Sequence, residues 1–249
     1  MSIRKSSTTN KNAEEYQKEL EKVISTRNKF FAIVAHDVKG PIGNILQLAN
    51  LMRDPNNRGD EMVDVLYNAA SQTVSLLDNL LTWSRSQQGL IHYSPAIVNI
   101  HELANDCIGL LRFQARAKGI TLENNCEDNL LATADMNMVQ TLMRNLLDNA
   151  IKFTGKGGKV SIAAKAIDSN MLEIRVNDNG KGMPAEYAAK LFSDQKVVSC
   201  IGTEGEKGTG LGLVLSHEFV ERNRGKLGVE SERDKGSSFW FTLPMYIQS

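Results

Sequence analysis

Four short blocks gather the side chains of this 249-residue chain that are equipped for chemistry, in the order AHDVKGPI at 35–42, NLLDNAIKFT at 145–154, NDNGKGM at 177–183 and GTGLGL at 208–213. In the first, a neutral imidazole at His36 adjoins a carboxylate at Asp37, a nucleophile with a proton acceptor at hand near pH 7. In the second, Asn145, Asn149 and Lys152 fall within roughly 60° of one another on a helix and present amide oxygens and an ammonium on one edge. Hard cations such as Mg²⁺ prefer oxygen ligands, and phosphate oxygens prefer Mg²⁺ or Lys. In the third, Asp178 ends an alternating run, and Asn179-Gly180-Lys181-Gly182 turns the chain so that backbone can pass close to a flat ring. A carboxylate there accepts from the exocyclic amino group of adenine and opposes the carbonyl of guanine. The fourth opens a helix whose first N–H groups and dipole suit phosphate, with Gly208, Gly210 and Gly212 as cradle and hinge.

Each block has a bland reading when taken alone. These are a solvated surface His, an amphipathic helix with a polar edge, a plain Asn-Gly turn and a glycine-rich loop that lacks the Gly-Lys-Ser/Thr of a Walker motif. Four in one order constrain a single chemistry, transfer of a phosphoryl group from an adenine nucleotide to a histidine.

The elements that must position these groups divide the chain in two. From Leu20 to Met52, apolar residues recur at intervals of seven (Ile24, Phe31, Val38, Ile45, Met52) with Leu20, Val34 and Leu48 interleaved, which predicts a long helix with a packing seam. His36 falls roughly 160° from that seam, on the water side. Gly40-Pro41 interrupts the helix beside it, a defect of about 3 kcal/mol or more that marks a place to bend. DPNNRGD at 54–60 breaks the helix, and a second follows with the stripe Met62, Leu66, Ala69, Thr73, Leu76, Leu80 and Trp83. A two-helix hairpin leaves much of its seam bare, and a second copy completing a four-helix bundle covers it, so a homodimer is expected.

After QQGL at 87–90 the pattern becomes mixed. Strands are expected at Ala96–Ile100, ITLENN, Leu130–Thr133, KVSIAAKAI, MLEIRVND, KLGVESE and SSFWFTLP, with helices through ELANDCIGLLRFQARAKG, from Asp135 and through LGLVLSHEFVER. This is an α+β pattern, with helices on one face of a sheet and the nucleotide between helices and lid. The stretch from Phe192 to Leu211 is glycine-rich and aperiodic, so a mobile lid is expected there. The expected divisions are a disordered segment at 1–13, a helical segment at 14–92 and an α/β sandwich at 93–249.

Composition excludes several classes. Lys plus Arg and Asp plus Glu are both 29, which supplies no field for nucleic acid. No apolar run approaches the ~20 residues that span a bilayer, and MSIRKSSTTNKN lacks the apolar core of a signal peptide, so no membrane insertion and a cytoplasmic location are expected. Cys107, Cys126 and Cys200 are odd in number and lack metal-ligand spacing, and are read as reduced thiols.

The run FFAIVAHDVKGPIGNI resembles the phosphoacceptor box of two-component sensor histidine kinases, usually His-Glu-x-x-x-Pro. The region after residue 92 resembles the GHKL (Bergerat) ATPase domain shared with gyrase B, the mismatch-repair protein MutL and the ninety-kilodalton heat-shock chaperones. The resemblance implies a catalytic core that autophosphorylates His36 with ATP and Mg²⁺, Asp37 standing where the family has its acidic neighbour. Asn149 becomes the metal ligand. Asn145, Lys152, Phe153, Asp178, Gly180, Gly182, Gly208, Thr209, Gly210, Leu211 and Gly212 become nucleotide contacts. It further implies phosphoryl transfer to an aspartate of a response-regulator receiver domain, and input from an upstream sensor domain or partner, the chain then being the cytoplasmic part of a larger sensor. Two departures stand out: Asp37 is a methylene shorter than Glu, and Gly40 replaces the Thr or Asn that positions water for dephosphorylation, which argues against strong phosphatase activity by that route. The alternatives are an ATP-gated conformational machine of the gyrase and chaperone type, whose Asn helix carries a Glu where this one has only Asp148, and a non-catalytic scaffold.

Overall fold

The computed structural model describes residues 42–43, 45–47, 49–52, 60–88, 90–168, 170–192, 200–204, 206 and 210–247. The expectations for 1–41, including His36, Asp37 and the Gly40-Pro41 break, lie outside the described residues, as do 53–59 of the turn and Gly205, Gly208 and Thr209 in the lid. By internal contacts the chain forms two compact units, Met1–Leu80 and Leu81–Ser249, so residue 92 lies inside the second.

In the first unit the described residues between 42 and 51 are helical, and a helix α1 runs Asp60–Gln87, its last turns continuing into the second unit. Of the anticipated stripe, Thr73 and Leu76 are buried. Val63, Val74 and Leu77 of α1 are exposed, as are Ile42, Leu46 and Leu51 before it.

The second unit is α+β. Its elements follow in the order β1 (Ala96–Asn99), α2 (Ile100–Ala117), β2 (Thr121–Asn124), β3 (Leu131–Ala134), α3 (Met136–Phe153), β4 (Lys159–Ala166), β5 (Met171–Asp178), α4 (Ala185–Lys190), α5 (Leu211–Arg222), β6 (Leu227–Glu232) and β7 (Gly236–Pro244). A five-stranded sheet has the order β2-β4-β5-β7-β6, parallel only between β2 and β4, and β1 pairs antiparallel with β3 in a separate ribbon. Alternation along the strands sends Val160, Ile162, Leu172, Ile174, Val176, Phe239, Phe241 and Leu243 inward against Leu103, Cys107, Leu111, Leu142, Leu146 and Ile151 of α2 and α3. The opposite face is polar, with Arg175 bonded to both Glu173 and Glu230.

Two helix starts are set by caps. Asn99 accepts from the N–H groups of His101 and Glu102, which ends β1 one residue before the anticipated Ile100, and Asp135 accepts from Met138 N–H at the head of α3. The short helix α4, absent from the sequence expectations, begins at Pro184 without a side-chain cap. Burial pushes the Cys107 thiol up to about 12 and that of Cys126 up to about 11, so neither is a ready nucleophile.

Candidate nucleotide site

The end of β5, the end of α3 and the start of α5 converge on one region. At β5, Asp178 pairs in register with Ser237 of β7, and its Oδ1 accepts from Gly180 N–H at 2.9 Å and Ser237 N–H at 3.3 Å. Burial raises the Asp178 carboxyl above the usual carboxylate range, and those two N–H groups partly hold it down. Both of these bonds fall on Oδ1, and Oδ2 carries neither. Ser237 was not anticipated; the preceding glycine in GSSFWF was its only local signal.

Glycine is required where this turn passes other backbone. A Cβ on Gly180 would lie 2.2 Å from the Phe153 carbonyl oxygen, which accepts from Lys181 N–H at 3.1 Å. Gly182, at φ +57°, would place one 1.9 Å from the Glu232 carbonyl oxygen. The turn is thereby seated directly on the end of α3.

On α3, Asn145 Nδ2 donates to the Gly212 carbonyl at 3.3 Å, joining the asparagine edge to the glycine cradle. Asn149, one turn on, is partly exposed. Lys152 is buried and its ammonium is pushed below the usual lysine range by desolvation, with Asp148 and Glu206 opposing. Two cations stand over the Phe153 ring, Lys152 Nζ at 5.0 Å and Lys181 Nζ at 4.8 Å from its centre. At the head of α5, Gly210 takes a left-handed conformation, φ +68°, and no side chain caps the helix.

Described lid residues bond to the end of α3 and to the turn after β5. Thr203 N–H donates to the Lys152 carbonyl at 3.1 Å and its hydroxyl to the Thr154 carbonyl at 2.8 Å, while Lys181 Nζ reaches the Ile201 carbonyl at 2.6 Å. Lys118, 5% exposed, donates to the Ile151 and Lys152 carbonyls and pairs with Glu206 at 2.8 Å. The physical reason is the orphaned carbonyls at the end of α3, which draw donors from both α2 and the lid. Neither Lys118 nor Glu206 stood out in the sequence, because a lysine at a helix end is unremarkable until its partners are known.

Among the described residues there is no cluster of three or more His, Cys, Asp and Glu side chains that could hold a metal, and no helix long and apolar enough to cross a membrane.

Comparison with known proteins places these elements in a family. The His Kinase A (phospho-acceptor) domain matches residues 26–89, and the histidine kinase-, DNA gyrase B- and HSP90-like ATPase domain matches 134–247. Similar proteins include the autoinducer 2 sensor kinase/phosphatase LuxQ of Vibrio vulnificus, 28% identical over 238 residues that cover 92% of this chain and 28% of LuxQ. Another is sporulation kinase A of Bacillus subtilis, 28% identical over 239 residues covering 94% of this chain and 37% of that kinase. The chain thus spans only about a third of the length of these relatives. A solved structure of histidine kinase ThkA in complex with response regulator protein TrrA shares the fold, with a TM-score of 0.69 at 20% identity, covering 93% of this chain and 66% of that one. With the two domains matched in this order, and an asparagine helix, an aspartate turn and a glycine cradle brought together in the second, the chain belongs to the sensor histidine kinases and comprises their phospho-acceptor and ATPase core.

Proposed function

We propose that this core transfers the γ-phosphoryl group of ATP to His36 and then to an aspartate on a response-regulator receiver domain. The observation that carries the reading is the convergence of Asp178 and Gly180, of Lys152 and Phe153, and of Asn145 with Gly212, in an ATPase domain that follows a matched phospho-acceptor domain. Asp178 selects adenine through Oδ2, and Gly180 and Gly182 let the base lie against backbone. Phe153 lines the base, Lys152 meets phosphate oxygens, and Gly208, Thr209, Gly210, Leu211 and Gly212 form the cradle and hinge.

The donor set suits Mg²⁺ on Asn149. A single neutral amide oxygen on a partly open helix edge leaves the other positions to phosphate oxygens and water, as Mg²⁺ prefers. Bound there, Mg²⁺ would neutralise charge on the transferring phosphoryl group. In the transfer, a lone pair of the neutral His36 ring forms the N–P bond as the bond from the γ-phosphorus to the bridging oxygen breaks. ADP leaves with that electron pair, and the imidazole proton passes to the Asp37 carboxylate. The chain's contribution is positioning and charge compensation.

Residues 14–92 serve dimerisation and phosphotransfer, and 93–249 serve ATP binding. Exposed Val63, Val74 and Leu77 on α1, with Ile42, Leu46 and Leu51 before it, form apolar surface that a second copy would cover in a homodimer. A receiver-domain partner is supported by the ThkA relative, solved with its response regulator. Gly40 argues that dephosphorylation of that partner is weak. Input comes from a sensor domain or partner upstream.

An ATP-gated machine would need a carboxylate on α3 directed at water. Asp148 instead accepts from Gln114 Nε2 at 2.9 Å, which supports the kinase reading. Incubation with γ-labelled ATP tests it: an acid-labile, base-stable phosphoprotein is expected, lost in His36→Gln with nucleotide binding intact. Label that survives in His36→Gln, or free phosphate without labelled protein, would reject it.

A further inference from the structure

The stretch that leaves α1 and enters the ATPase domain is not a slack tether. Arg222, in the last turn of α5, donates from Nη1 to the Ile91 carbonyl and from Nη2 to the Ser86 carbonyl, both at 3.0 Å, and its Nη2 also meets Glu218 Oε1 at 2.9 Å. Glu218 in turn accepts from the Ser86 hydroxyl. The side chain of Ile91 packs on Met138, Leu215 and Phe219, and Ser94 N–H donates to Asp135 Oδ2 at 2.9 Å. Asp135 N–H is held in turn by Asn223 Oδ1 at 2.8 Å, next to Arg222. Ser86, Ile91 and Ser94 are therefore fixed to α3 and α5, the two helices that carry Asn145 and the glycine cradle.

The forked guanidinium has a specific task here. The last carbonyls of a helix have no partner within it, and a cation with two diverging donors satisfies one of them and a carbonyl beyond the turn together. Gln88 N–H to the Ser84 carbonyl and Leu90 N–H to the Arg85 carbonyl complete the end of α1. The division between the compact units falls at Leu80 and Leu81, inside this helix and upstream of the clamp.

From these contacts we infer that Arg222 is a positioning residue for autophosphorylation, fastening the non-helical connector to the ATPase domain. The inference rests on the proposed kinase activity. In-line transfer requires the γ-phosphorus to meet the imidazole within a narrow range of positions. A connector freed from α5 multiplies the orientations the domain samples and lowers that encounter.

Arg222→Ala and Arg222→Lys test this in the full chain. At saturating Mg-ATP, Arg222→Ala is expected to slow single-turnover phosphorylation by about tenfold or more, since misplacement by roughly an ångström can cost a hundredfold. Affinity for a fluorescent ADP analogue should stay within about twofold, because Arg222 lies at the far end of α5 from the cradle. Arg222→Lys should fall between, as an ammonium lacks the fork that holds two carbonyls. Hydrogen exchange at Gln88 and Leu90 should accelerate in both variants. Phosphorylation as fast as or faster than in the unsubstituted chain would overturn the inference, and so would a loss of nucleotide affinity equal to the loss of rate. Should Arg222→Ala not melt cooperatively, Arg222→Lys is read with the same outcomes. If the unsubstituted chain takes up no phosphoryl group, the kinase reading fails on its own, and exchange at Gln88 and Leu90 decides the clamp: slow exchange released by the substitutions supports it, and exchange that was already fast overturns it.

Discussion

Replacing Asp178 with Asn separates adenine recognition from domain stability. The carboxylate Oδ1 accepts two backbone N–H groups, from Gly180 at 2.9 Å and Ser237 at 3.3 Å, so in the variant the amide oxygen must keep that place. The new NH₂ then occupies the position of Oδ2 and confronts the adenine amino group donor to donor. A hydrogen bond to a charged group contributes about 1.5–3 kcal/mol net, so ADP should bind roughly ten- to 150-fold more weakly. Burial of the charge opposes folding, as the raised carboxyl pKa records, so the melting temperature of the empty domain should hold or rise. The sign with pH follows from the same shift. The folded domain holds this proton more tightly than the unfolded chain, so between the ordinary carboxylate pKa and the raised one its stability declines as pH rises. Over that window ADP affinity should fall as pH falls, a dependence that Asp178→Asn should lack. The variant's NH₂ also suits the guanine carbonyl, narrowing the preference for ADP over GDP. Titration calorimetry with ADP and GDP, beside thermal melts, is the assay. Unchanged ADP affinity, or weakened affinity accompanied by a collapsed melting temperature, would refute the reasoning.

Two further substitutions probe the frame around the site. Gly182→Ala combines a left-handed φ of +57° with a Cβ only 1.9 Å from the Glu232 carbonyl oxygen, so it should cost at least about 1–3 kcal/mol and lower the melting temperature by several degrees. A melt within a degree of the unsubstituted chain would contradict that. Lys118→Met strips one ammonium from the Ile151 and Lys152 carbonyls and from Glu206, and should cost on the order of 2–3 kcal/mol in urea unfolding while speeding exchange at Thr203 N–H. Equal unfolding midpoints would show that the end of α3 does not depend on it.

The limits of sequence reading follow from chain distance. Alternation made β4 and β5 legible because each strand buries every second residue over its central part against the same helices, and the polar edge of α3 was legible because Asn145, Asn149 and Lys152 share a helix. Asp178 could be selected as a carboxylate ending a strand, but its partner Ser237 lies 59 residues on and enters only through the β5–β7 register. Lys118 and Glu206 are separated by 88 residues, and Arg222 reaches back 136 residues to Ser86, so no periodicity or motif announces either contact. Helix α4 escaped because six residues complete fewer than two turns, too few for a periodic signal, and none of them is buried.

In the proposed reaction one imidazole receives the phosphoryl group. Mass-spectrometric mapping of the chain after incubation with Mg-ATP, under conditions that preserve phosphoramidates, tests it most directly. A single modified residue, His36, is expected in the unsubstituted chain and none in His36→Gln. Phosphate mapped to His92, His101, His217 or a hydroxyl side chain, or an unmodified chain that still consumes ATP, would contradict it.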